Sequence, residues 1–190
     1  MTTPSARAKR SRQRAGLSLV EASLGVALVG TALAVFVPVF FRELRTSRIS
    51  EAPDNLARLH AGAAAYFDAV HALHDTPRQR RCLPDATGRA PAVPGPAAQQ
   101  VDFASDDVPG APTWRALGFA PERPVYFSYE VTPTQVGCEL TGEGPQLILR
   151  AYGDLDGDGM ESTFERAAAI GPDSRQLVPS GALYARDRTE

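Results

Sequence analysis

From Ala22 to Phe41 the chain runs for twenty residues without a charge. At helical rise that run spans roughly 30 Å, the thickness of a bilayer's hydrocarbon core. Residues 1–16 hold Arg7, Lys9, Arg10, Arg12 and Arg14 and no acid. By the positive-inside rule, a basic flank of this kind stays in the cytoplasm and the rest of the chain lies outside. A second apolar run, Ala61–Tyr66, is far too short to span. The expectation is one transmembrane segment and an exported body.

A cleaved secretory signal fits less well. Its apolar core usually has about 7–15 residues and closes on a small-x-small cleavage site. Here the run continues through Phe40 and Phe41 to Arg42 with no such site. An uncleaved signal anchor is the plainest reading of composition alone. Taking the five basic residues of the leader from the 20 leaves 15 against 22 acids, so residues 17–190 carry a formal charge of 15 − 22 = −7. An acidic body is a poor partner for nucleic acid, whose binding rests on Lys and Arg meeting phosphates. No nucleic acid partner is indicated.

Beyond the span, Leu56, Leu59, His60, Ala63, Phe67, Val70 and His74 step by three or four. That is one face of an amphipathic helix. Together with the span it predicts one long helix over about 18–74, with Pro38 and Pro53 kinking it. The next stretch, 75–113, is rich in proline and glycine and reads as loop. Strand signals follow at 125–131, 136–140 and 147–152, spaced as an antiparallel meander. Trp114, Phe119, Tyr126, Phe127 and Tyr129 supply the apolar bulk to pack the helix on that sheet. The fold class is α+β: a long N-terminal helix on a small antiparallel sheet. The divisions are 1–16, a basic leader; 17–41, the span; 42–75, the amphipathic continuation; and 76–190, a loop-rich β region.

The chain has two cysteines, Cys82 and Cys138, both in the exported part, where disulfides persist. Bonded to each other they would stabilise by about 4 kcal/mol in the chain-entropy model. Free or intermolecular thiols are the alternative. There is no C-x-x-C, so a bond here would be a staple and not a redox site.

Glu21 is the odd residue at the start of the span. A carboxylate in a bilayer costs about 3 kcal/mol on insertion scales and calls for a partner. Cleavage after Gly16 would give Leu17 a new α-amino group, one helical turn from Glu21 and at the positive end of the helix dipole. Gly16, Leu17-Ser18-Leu19-Val20-Glu21, a basic leader before and an apolar run after together resemble the processing signal of type IV pilins and pseudopilins. The resemblance implies a set of expectations. A prepilin peptidase cuts after Gly16 and methylates Leu17, where the family more often has Phe or Met. Glu21 is then the fifth residue, as the family's glutamate is, and Pro38 falls where the family often carries proline. Subunits wait in the bacterial inner membrane as single-pass proteins. Inner-membrane assembly machinery then lifts them, with other pilin subunits, into a helical filament. The glutamate meets a neighbour's N-terminal amine there. The role implied is structural and not enzymatic, and no nucleophile–base pair or phosphate loop stands out in the sequence.

A second motif lies near the C-terminus. Asp154-Leu-Asp156-Gly-Asp158-Gly159-Met160-Glu161-Ser162-Thr-Phe-Glu165 fits D-x-D-x-D-G-x5-E, the twelve-residue EF-hand loop. Asp154, Asp156 and Asp158, the Met160 carbonyl, Ser162 and Glu165 would then ligate Ca²⁺ through hard oxygens. Two departures stand out: Glu161 sits where paired EF-hands are apolar, and the entering LILRAY reads as strand. Ser162-x-x-Glu165 also fits a capping box for a helix at 163–170. Calcium favours a pseudopilin within the resembled family, whose major pseudopilin binds it. A monomeric membrane-anchored extracytoplasmic calcium-binding domain is the reading from another class. His71 and His74 share a helix face but lack further metal ligands.

Overall fold

The structure, a computed structural model, describes residues 18–190 apart from 70, 73–78, 136, 139, 141–143, 189 and 190; the side chains of 41, 42, 44–46, 72, 79 and 80 are also left undescribed. The leader, Gly16 and Leu17 therefore lie outside the described residues. The chain divides into two units, Met1–Arg42 and Glu43–Glu190.

In the first unit, helix α1 begins at Leu19 and runs to Ile49, with Pro38 inside it. Its segment Leu19–Phe40 is long and apolar enough to cross a membrane and is not buried in the chain. The core helix of a soluble protein would be mostly covered; here Leu24, Val29 and Val37 are exposed, on different sides of the helix. Its few hydroxyls are answered within the helix: Ser23 Oγ donates to the Val20 carbonyl and Thr31 Oγ1 to the Ala27 carbonyl, both at 2.9 Å. In hydrocarbon, internal satisfaction is what every polar group needs.

In the second unit, α1 gives way at Ser50 to α2, Glu51–Asp68. The break is local. Pro53 has no N–H to give to Ile49, four residues back, and its ring crowds that carbonyl. Ser50 keeps helical angles (φ −63, ψ −20), so the direction of winding continues. α2 buries Ala52, Leu56, Leu59, Ala63 and Phe67 at the expected spacing. It ends six residues earlier than expected from the pattern through His74: Ala69 is extended (ψ 142). His71–Ala72 (β1) then pairs antiparallel with Gln79–Arg80 (β2). Helix α3, Ala111–Ala116, follows Gly110, whose φ of 76 suits glycine.

The main sheet is antiparallel and five-stranded. Its strands are β3 (Ser128–Pro133), β4 (Leu147–Gly153), β5 (Ser162–Ile170), β6 (Leu177–Pro179) and β7 (Tyr184–Arg186). The order is β3-β4-β5-β6, with β7 pairing the other end of β5. Tyr129, Ala151 and Phe164 align in register on the inner face, as do Val131, Leu149 and Arg166. α2 packs on β4, β5 and β6. Phe103, Trp114, Phe119 and Tyr129 meet edge-on or tilted, with centroids 4.8–6.3 Å apart. Phe103 and Phe119 come from stretches without helix or strand, so the loop region contributes to the core.

Three expectations change. The strand read at 125–131 starts at Ser128, because the N–H groups of Tyr126 and Phe127 turn to the Glu51 carboxylate (3.1 and 3.4 Å). The described residues of 136–140 form no strand. The helix read at 163–170 is strand β5. Its alanines and glutamate favour helix locally. Alternation places Ser162, Phe164 and Ala168 inside, and pairing with β4 overrides that preference.

Cys82 and Cys138 are bonded. Beyond Cys82 the chain follows the outer edge of β3. Thr87 N–H donates to the Val131 carbonyl (2.9 Å), and Ala90 and Tyr129 exchange both backbone bonds (3.0 and 2.7 Å). The staple pins the start of a segment that covers a strand edge otherwise open to pairing.

Candidate functional site

At the start of α1, Ser18 and Glu21 cap each other. The Ser18 N–H and Oγ–H both donate to Glu21 Oε2 at 2.9 Å, and the Glu21 N–H donates to Ser18 Oγ at 3.3 Å. This is a reciprocal capping box, S-x-x-E, and it places a carboxylate at the positive end of the helix dipole. The same pattern at Ser162-x-x-Glu165 caps nothing, because a strand follows it. Glu21 thus has a local partner before any processing. Pro38 sits within the continuous helix.

The acidic loop joins β4 to β5. It leaves the sheet at Gly153, where a Cβ would lie 2.3 Å from the Phe127 ring. Gly157 and Gly159 have φ of 79 and 88, a region that glycine enters freely. Buried Leu155 anchors the loop from below. Asp154 accepts from Gly157 N–H (2.7 Å) through Oδ1 and from Gly159 N–H (3.2 Å) through Oδ2. Asp158 Oδ1 accepts from Met160 N–H at 2.7 Å. The loop brings Asp154, Asp156 and Asp158 together, one carboxylate oxygen of each lying within 4.8 Å of the others. Three hard anionic oxygens so placed suit a cation such as Ca²⁺.

The rest of the EF-hand set is not assembled there. Ser162 is buried, and its Oγ donates to the Gly153 carbonyl at 3.2 Å. Glu165 lies across from Arg150 and accepts from its Nε at 2.8 Å. In an EF-hand a helix turns the twelfth residue back to the ion. Here three residues of strand carry Glu165 about 10 Å onward. The Met160 side chain is exposed. Glu161 pairs with Arg89 at 2.7 Å. Where the residues fit a cation, they fit as three aspartates whose remaining ligands would be water.

Sequence reasoning missed two polar groupings. On the outer face of the sheet, Arg150 lies between Glu165 and Glu130 (2.8 and 3.9 Å), and Tyr152 OH donates to Glu130 at 2.9 Å. Arg89 stacks on the Tyr152 ring, 3.7 Å from its centroid. Cross-strand register makes this ladder, and register is invisible until the strands are known. The second is Glu51, in the first turn of α2, which accepts from the N–H groups of Tyr126 and Phe127 and, at 2.8 Å, from Tyr129 OH. Asn55 Nδ2 donates to the same phenol at 2.8 Å. Burial pushes the Glu51 carboxyl above its ordinary 4.5, against the lowering pull of its donors. Burial and the Glu51 charge push the Tyr129 phenol well above 10. His71 Nε2 lies 2.8 Å from the Tyr66 carbonyl and its ring packs on the Tyr66 ring, so helix spacing does not pair it with His74, which lies outside the described residues.

Comparison with protein-family models, with characterised proteins and with solved structures yields no match.

Proposed function

We propose that the chain is a type IV pilin-like structural subunit, held in a bacterial inner membrane by α1 with its body outside the cytoplasm. In this reading prepilin peptidase processes it between Gly16 and Leu17, and inner-membrane machinery assembles it with other pilin subunits into a pilus or pseudopilus. The observation that carries the reading is the combination at one end: an unburied apolar helix, a basic leader ending at Gly16, and a carboxylate, Glu21, in the first turn. A charge left unpaired in a helix-packed core is costly, and a paired one favours a single register. The role is structural and not catalytic. Asp154, Asp156 and Asp158 form the proposed calcium site, which would tie down the β4–β5 loop.

The second reading, a monomeric membrane-anchored calcium-binding domain, draws on the Ser18–Glu21 cap, which answers the carboxylate within one chain. Intact mass and N-terminal sequencing of the membrane-extracted protein separate the two. A chain beginning at N-methyl-Leu17 is the expected result. A chain still carrying the leader after expression with an active prepilin peptidase leaves only the anchored domain.

A further inference from the structure

Two basic side chains share the seam between α2 and the sheet, and among the described residues no acid answers them. His60 lies on the α2 face that carries Leu56, Leu59 and Ala63. Arg166 lies on the inner face of β5, across from Leu149 and between Phe164 and Ala168 along that face. His60 Nε2 and Arg166 Nε are both shut off from solvent, and neither makes a hydrogen bond. A buried polar atom with no partner is rare and marks a place held under constraint.

Both residues are half-buried, and the packed side of the seam around them is apolar. α2 packs on β4, β5 and β6. The inward positions of β4 are Leu147, Leu149 and Ala151. Those of β5 beside Arg166 are Phe164 and Ala168, and β6 contributes buried Leu177. One turn either side of His60 on α2 are Leu56, Ala57, Ala63 and Ala64. Arg166 is therefore the charged group that faces His60 among the described residues.

We propose that His60 and Arg166 form an acid-sensitive latch: the seam closes on a neutral His60, and protonation of His60 against Arg166 loosens α2 from the sheet. The guanidinium is charged at any working pH. A neutral imidazole can keep its proton on Nδ1 and present Nε2 as an acceptor in a seam where Arg166 Nε–H is a donor. Protonation replaces that with two donors and two positive charges, and among the described residues no carboxylate is placed to take either. The sign follows. Burial, then Arg166, holds the His60 pKa below its ordinary 6.5. The unfolded chain thus binds more protons than the folded one, and stability is lost as pH falls from about 6.5 through the folded value. The proposal does not depend on filament assembly.

Full-length protein in detergent micelles provides the test, by NMR titration of the histidines and by urea midpoints at about pH 7.5 and about pH 5, which bracket the histidine range. The expected results are a His60 pKa below 6.5 and a midpoint that falls on acidification. His60→Gln should lose most of that fall, and Arg166→Met should move the His60 pKa upward. A His60 that titrates at or above 6.5 overturns the latch, as does a fall of the same size in His60→Gln. An unchanged His60 pKa in Arg166→Met overturns the role of Arg166. The wild-type titration decides even if a variant does not fold.

Discussion

Glu21 illustrates how far a single residue can be read. Its position before an uncharged run marks it at once, because a carboxylate there needs a partner. The partner that the structure shows is Ser18, three residues away. A capping box accepts glutamine as well as glutamate. Glu21→Gln should therefore keep the helix start and membrane insertion, and it should still fail to enter filaments, because the amide cannot pair with a neighbour's amine. Pull-down of tagged subunits with sheared filaments checks this; normal incorporation of Glu21→Gln means that the cap alone explains the residue. Glu51 is the opposite case. Nothing around it in the chain marks it, because its donors lie 75 to 78 residues away. Its raised pKa has a defined sign. The folded state binds more protons than the unfolded one, so the stability that this group adds is present below about pH 4.5 and is lost as pH rises through the folded value. Glu51→Gln should flatten that segment of the stability–pH curve, which urea midpoints from acid to neutral pH will report. Glu51→Ala, which strands two N–H groups and a phenol, should cost about 1–3 kcal/mol.

Among the elements, the clearest lesson is β5. Its residues 163–170 look like a helix after a capping box, and they are a strand because Phe164 and Ala168 must face α2 while β4 supplies the hydrogen bonds. That change decides the acidic loop. With a strand leaving it, Glu165 pairs with Arg150. Calorimetry with Ca²⁺ on the detergent-solubilised protein should show binding in the roughly 10⁻⁴–10⁻³ M range of extracellular modules. Asp158→Asn should weaken it, and Glu165→Gln should leave it unchanged. Loss of binding in Glu165→Gln would falsify the three-aspartate site in favour of the full EF-hand set. The flank of α2 beside Leu117 is constrained as well: a Cβ on Gly62 would lie 2.2 Å from the Leu117 carbonyl oxygen. Backbone cannot swing aside as a side chain can, so Gly62→Ala should lose about 1–3 kcal/mol by overpacking, read as a lower urea midpoint.

For the whole molecule, stability rests on segments brought together from far apart in the chain. The Cys82–Cys138 bond closes 56 residues of separation and pins the strip that covers the β3 edge. Replacing both cysteines by alanine should cost about 2–5 kcal/mol, measured by urea denaturation of oxidised wild type against the variant. Much was legible without any structure: the apolar span, the amphipathic face from Leu56 to Phe67, the Asp–Gly loop and the α+β class. Each depends on residues within a turn or two of one another, where helical period, glycine φ and the hydrophobicity of a short run act directly. The three-dimensional fold alone decided that Ser162–Ile170 is a strand, that Glu165 belongs to Arg150, that Glu51 clamps the chain before β3, and that Cys82 bonds Cys138 where the sequence left the pairing open. Those outcomes are set by pairs far apart in sequence or by strand register, and a partner's identity is not encoded in either residue's neighbourhood.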